Sequence, residues 1–114
     1  MEKDLEQRTK MFSLAIIKFT ASLPRTREAD VLSRQLLRSA TSIGANYREA
    51  NRGVSRADFV NKIGIVQKEA SETLYWTELL MESGIAPKDP AETLHKESSE
   101  LLAIFTAIGK KLKG

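Results

Sequence analysis

The stretch Leu32–Arg52, LSRQLLRSATSIGANYREANR, decides the fold of this chain, because a single helical run there carries three different faces. At about 100° of rotation per residue, Leu32, Leu36, Ser39, Ile43, Tyr47 and Ala50 gather on one side, which needs a core to bury it. Opposite them, Arg34, Arg38, Thr41, Ala45, Arg48 and Arg52 follow at steps of three and four, so the outer face is lined with guanidinium groups. Between the two, Gln35, Ser42, Asn46 and Glu49 form a polar flank that runs into solvent or meets a neighbour.

Working outward, the same periodicity predicts a helix on either side and one more beyond. Upstream, Leu5, Phe12, Ile16, Phe19 and Leu23 fall on one stripe, giving a helix from about Glu2 to Ser22 that Pro24 stops. Met11, Leu14 and Ile17 lie off that stripe, so this helix is apolar over more of its circumference than one core requires, and a second contact surface is implied. Thr26 is the expected N-cap of the central helix and Gly53 its expected left-handed C′ residue. Gly44, in the helix interior, costs roughly 1 kcal/mol relative to alanine and reads as a close approach, a slight bend or a tolerated weak spot.

Downstream, Ser55 caps a third helix that continues to about Ser83, with Phe59, Ile63, Val66, Ala70, Thr73, Thr77 and Leu80 as its core stripe. A second stripe beside it, Lys62, Ile65, Glu69, Glu72, Trp76 and Leu79, mixes charged and large apolar groups as an interface would. The linker GIAPKDP leads to Asp89 as expected N-cap with Pro90 at the first helical position. Leu94, Leu101, Phe105, Ile108 and Leu112 define the buried side of the fourth helix, and Lys110, Lys111 and Lys113 complement its negative end. No segment alternates as a strand. The expectation is all-α: an antiparallel up-down-up-down four-helix bundle forming a single domain over residues 1–114.

Composition narrows the function classes. Cysteine is absent, so there is no thiolate nucleophile, disulfide framework or zinc-thiolate site, which fits a reducing compartment. The apolar runs fall far short of the roughly 20 residues that cross a bilayer, and the opening MEKDLEQ is unlike a secretory signal; a cytoplasmic protein without a membrane partner is expected. Net charge is only +3, but five arginines face Glu49 alone between Arg34 and Arg56, whereas eight acids face Lys88 and Lys96 between Glu69 and Glu100.

Catalytic groupings are lacking. His95 is the one histidine, Ser42 has no base in view, and no glycine-rich phosphate loop occurs. Glu69 and Glu72 share a face, yet the Glu-x-x-His pairs of a di-iron bundle are missing, so no metal, cofactor or catalytic residue is expected. Gln35, Asn46, Glu49, Lys62, Glu69, Glu72 and Trp76 are instead expected in a polar network between helices or at a subunit interface, each buried charge needing a partner. Two readings of the arginine face stand side by side. Arg34, Arg38, Arg48 and Arg52 contact nucleic-acid phosphates without reading bases, or they pair with acids of a neighbouring helix or subunit.

The run RSATSIGANYREANRGVSRADFVNKIGIVQKEASETLYWTELLMESG, Arg38–Gly84, closely resembles the 23S ribosomal RNA intervening-sequence proteins, a family of four helix bundle proteins. The resemblance rests on Gln35, Arg38, Ser42, Ile43, Asn46 and Glu49, then on Phe59, Lys62, Glu69, Glu72 and Trp76. Gly44 and Ala50 depart from the proline and glycine that much of the family carries there; the chain looks like the branch with Ala-Asn-Tyr-Arg-Glu-Ala and Lys-Glu-Ala-x-Glu-Thr. The resemblance implies a short antiparallel bundle of bacterial origin that assembles into a homo-oligomeric ring, with a pentamer expected, and no established activity. Related bundles in diversity-generating retroelements use a basic ring surface to bind nucleic acid, which makes RNA or DNA an expected partner; a scaffold without a nucleic-acid ligand is the alternative.

Overall fold

A computed structural model describes the backbone of residues 2–113 and the side chains of residues 4–113. Four helices follow in order: α1 (Glu2–Ala21), α2 (Arg27–Asn51), α3 (Arg56–Glu82) and α4 (Lys88–Lys113). They form a rod of 44 × 21 × 21 Å, and the described residues contain no strand.

Contacts between helices fix their directions. Glu6 meets Asn51 and Arg52, Glu49 meets Lys62, and Glu78 meets His95, while Leu5 shares a cleft with Ile104 and Ile108 and Phe19 shares one with Pro90, so early residues of one helix face late residues of its neighbour. Each adjacent pair is therefore antiparallel. Leu5, Phe12, Ile16, Phe19 and Leu23 are all buried, as are Leu36, Ile43 and Tyr47 of α2, Ile63, Val66 and Leu80 of α3, and Leu94, Leu101 and Phe105 of α4. Tyr47 and Phe105 meet edge-to-face across the bundle at 5.2 Å between ring centres, which locks α2 against α4. Small buried hydroxyls bring α2 and α3 close: Thr73 Oγ1 donates to Ser39 Oγ at 2.9 Å.

Two helix ends depart from the pattern read in the sequence. Thr26 and Ser55 do cap α2 and α3, their hydroxyls accepting from the backbone N–H groups of Ala29 and Asp58. Gly53, however, is not left-handed: α2 closes with tight turns from Arg52 to Glu49 and from Gly53 to Ala50, and a Cβ on Gly53 would lie 3.2 Å from the Asp58 Cβ. The left-handed glycine is Gly84, at φ +78°, after α3. The fourth helix starts one residue before the expected cap, at Lys88, with Ala91 N–H bonded to the Pro87 carbonyl. Pro90 is accommodated because the first-turn N–H groups have no intrahelical acceptor, so its missing hydrogen costs nothing there. Gly44 marks a close approach: a Cβ there would sit 3.3 Å from Thr9 Oγ1 and 3.5 Å from the Thr9 backbone carbon.

Candidate functional surfaces: the arginine helix and its neighbours

Rotation along α2 divides the arginines between two seams. Arg38 leans towards α3, where its guanidinium bridges Glu69, at 3.2 Å, and Glu72. These contacts, the Glu72 hydrogen bond first, raise the Arg38 pKa above its ordinary value, so it stays charged at any working pH. Arg48 and Arg52 lean towards α1, where both reach Glu6, at 3.9 and 3.2 Å. Asn51 Nδ2 donates to the same carboxylate at 2.8 Å, and that bond, with the arginines behind it, lowers the Glu6 pKa from its ordinary value. Arg34 makes no ion pair among the described residues. It lines a cleft with Arg25, where α1 turns into α2.

The polar flank meets α3. Lys62 Nζ donates to Glu49 at 2.6 Å, so Glu49, Lys62, Glu69 and Glu72 all take part in ion pairs along the α2–α3 seam, with Arg38 joining them from the outer face. Asn46 turns inward on its own helix, its Nδ2 donating to the Ser42 carbonyl at 2.9 Å. Gln35 has no side-chain hydrogen bond among the described residues, and Trp76 is half-buried with its Nε1 removed from solvent and lacking an acceptor there. A buried indole N–H without a partner is uncommon in a finished structure. Tyr75, exposed, packs edge-on against Trp76 at 5.1 Å.

Sequence reading missed the strongest charged contact of the molecule. Arg8 forks onto Glu97 with two bonds of 2.7 Å and adds Glu100 at 2.8 Å, clamping α1 to α4 across most of the chain length. The three-residue step from Glu97 to Glu100 was the available signal, since it puts both carboxylates on one helix face. Arg56 was likewise unread: it donates to the Leu112 carbonyl at 2.9 Å and closes the end of α4. His95 serves as a tie, 3.1 Å from Glu78. Among the described residues, no three His, Cys, Asp or Glu side chains gather to hold a metal ion, and no helix is long and apolar enough to cross a membrane.

One side of the bundle is left open. Along the α1–α4 seam, a cleft of about 470 Å³ is lined by Leu5, Ile104, Ala107 and Ile108. Further along α1, Met11, which lines a second cleft with Thr93 and Glu97 of α4, and Leu14 stand 53% and 49% exposed. Val31 and Tyr75, on the opposite side, are about as open.

Comparison with known proteins agrees with this architecture. No curated protein matches the chain. A crystal structure at 1.70 Å of a protein of unknown function from the S23 ribosomal protein family of Bacteroides thetaiotaomicron is 39% identical, with 92% of this chain covering 97% of that one at a TM-score of 0.84. Residues 2–107, which take in all of α1, α2 and α3 and most of α4, match the family described as 23S rRNA-intervening sequence protein. With the family match spanning residues 2–107 and a 39% identical chain sharing the fold, the chain belongs to the 23S rRNA-intervening sequence protein family.

Proposed function

We propose that this protein is a non-enzymatic, homo-oligomeric assembly protein, and the observation that carries the reading is the exposed apolar surface of α1. Met11 and Leu14 remain half in water on the same helix, and burying such side chains against another subunit would recover roughly 25 cal/mol for each Å² covered. On the other helices, Val31 of α2 and Tyr75 of α3 are also half exposed, and they are unlike the α1 side chains in chemistry. Two unlike patches on one chain make a head-to-tail contact, which closes into a ring when the rotation allows. Five subunits is the expected number, on the family resemblance. A cytoplasmic setting goes with this reading, in keeping with a chain free of cysteine.

The test is the mass of the particle in solution. Sedimentation or light scattering should give a multiple of the 12.7 kDa chain, five for the expected ring, and Leu14→Glu should reduce it to one chain with helical content kept. A wild-type monomer at micromolar concentration would rule the assembly out.

A second reading is favoured by the charge balance on α2. Arg48 and Arg52 share the single carboxylate of Glu6, and their side chains stay 55% and 64% exposed. Together with Arg34 and Arg38, they are the proposed contacts for nucleic-acid backbone, bound without sequence preference. Affinity for RNA or DNA should then fall steeply with salt, and Arg48→Glu with Arg52→Glu should weaken it without changing the particle mass. An unchanged affinity would leave the pure scaffold.

A further inference from the structure

The cleft where α1 turns into α2 brings two arginines and an apolar strip onto one small surface. It has a volume of about 390 Å³, within the range of small-ligand sites. Arg25 from the turn and Arg34 from α2 both line it, and neither makes an ion pair among the described residues. Asp30 lines it too, leaving one cation in excess. The rest of the wall is mixed: Ile17 from α1 and Leu37 from α2 form an apolar strip beside Pro24, and the hydroxyls of Thr20 and Ser33 lie alongside it. Two guanidiniums next to an apolar strip match one chemical object, a phosphate carrying a flat apolar group. Guanidinium forks bind phosphate in a bidentate manner, and a nucleobase presents the face that such a strip covers.

We propose that this cleft holds one nucleotide of a single-stranded nucleic acid, with the phosphate between Arg25 and Arg34 and the base against Ile17 and Leu37. The inference rests on the nucleic-acid reading above and adds two things to it. It names Arg25, off the helix altogether, as a contact, and it selects a single strand. A duplex keeps its bases stacked inside and offers the cleft only phosphates, whereas an unpaired strand offers phosphate and base together. Arg34 is then the one residue of the α2 row with a free guanidinium and an apolar strip beside it.

The experiment is fluorescence anisotropy of the full-length protein with a short labelled single-stranded RNA of mixed sequence, over a salt series, with the same sequence as DNA and as a duplex in parallel. Arg25→Gln and Arg34→Gln should each weaken single-strand binding and make the salt slope shallower by roughly 0.7, the single-strand value for one lost phosphate contact. Lys113→Gln removes a charge at the far end of the rod and should change neither. Circular dichroism of each variant checks that these exposed substitutions leave the helices intact. Equal affinity for single strand and duplex would overturn the choice of a single strand. Wild-type binding that survives both arginine substitutions with its slope unchanged would overturn the cleft while leaving the nucleic-acid reading in place. A wild-type protein that binds no probe at low salt would remove that reading, and the cleft with it.

Discussion

Glu6 shows how one side chain changes the meaning of two others. Read along α2 alone, Arg48 and Arg52 belong to an outward row; in the bundle they converge with Asn51 on a carboxylate carried by the first helix. That carboxylate's pKa is lowered from its ordinary value, the Asn51 bond being the largest cause. The sign of the consequence follows from linkage: a carboxyl group that ionises more readily folded than unfolded adds stability above the unfolded value and loses it as the pH falls through the lowered, folded one. Glu6→Gln should therefore remove part of the acid limb of a stability-against-pH curve, leaving less difference between wild type and variant at low pH than at neutrality. Chemical denaturation at a series of pH values measures it, and parallel curves would contradict the assignment.

Helix ends and glycines set the next level. Gly64 within α3 and Gly84 just after it both border open space, but their backbones differ. A Cβ on Gly64, mid-helix and exposed, would meet nothing within 4 Å, while Gly84 holds φ at +78°. Alanine at Gly64 should stabilise the protein by roughly 0.5 to 1 kcal/mol through helix propensity. Alanine at Gly84 should destabilise it by about 1 kcal/mol, because L-residues avoid that backbone region. Urea midpoints of the two variants should thus move in opposite directions. The core stripes were legible because 3.6-residue spacing gathers apolar residues on one side whatever the partner helix is; α1 shows it most plainly, its five predicted core residues all buried. The end of α2 was not legible, since Gly53 is small to clear Asp58, a neighbour that appears only once α3 turns back.

At the level of the molecule, three seams are closed by buried hydroxyls, apolar packing and ion pairs, and the α1–α4 seam is held mainly by the Arg8 clamp over an open cleft. If that side is covered by a second copy, folding and assembly are one equilibrium. The urea midpoint of the wild type should rise with protein concentration, and that of Leu14→Glu should stay constant. Coincident wild-type curves over a hundredfold change in concentration would count against the proposed assembly.

Periodicity and composition sufficed for four helices, their order, the caps at Thr26 and Ser55 and most of the core, because these depend on residues close together in the chain. The family likeness was equally visible, in residues 38–84. The candidate surfaces depended on more. Whether Arg38 faces solvent or Glu69 and Glu72 is decided by how far α2 rotates as it packs, and a few tens of degrees move a long side chain from one seam to the next. Arg8 with Glu97 and Arg56 with Leu112 join parts of the chain that no local pattern relates. Periodicity assigns each residue to a face of its own helix; packing the four helices decides which faces meet, and so which charges are paired and which are left for a partner.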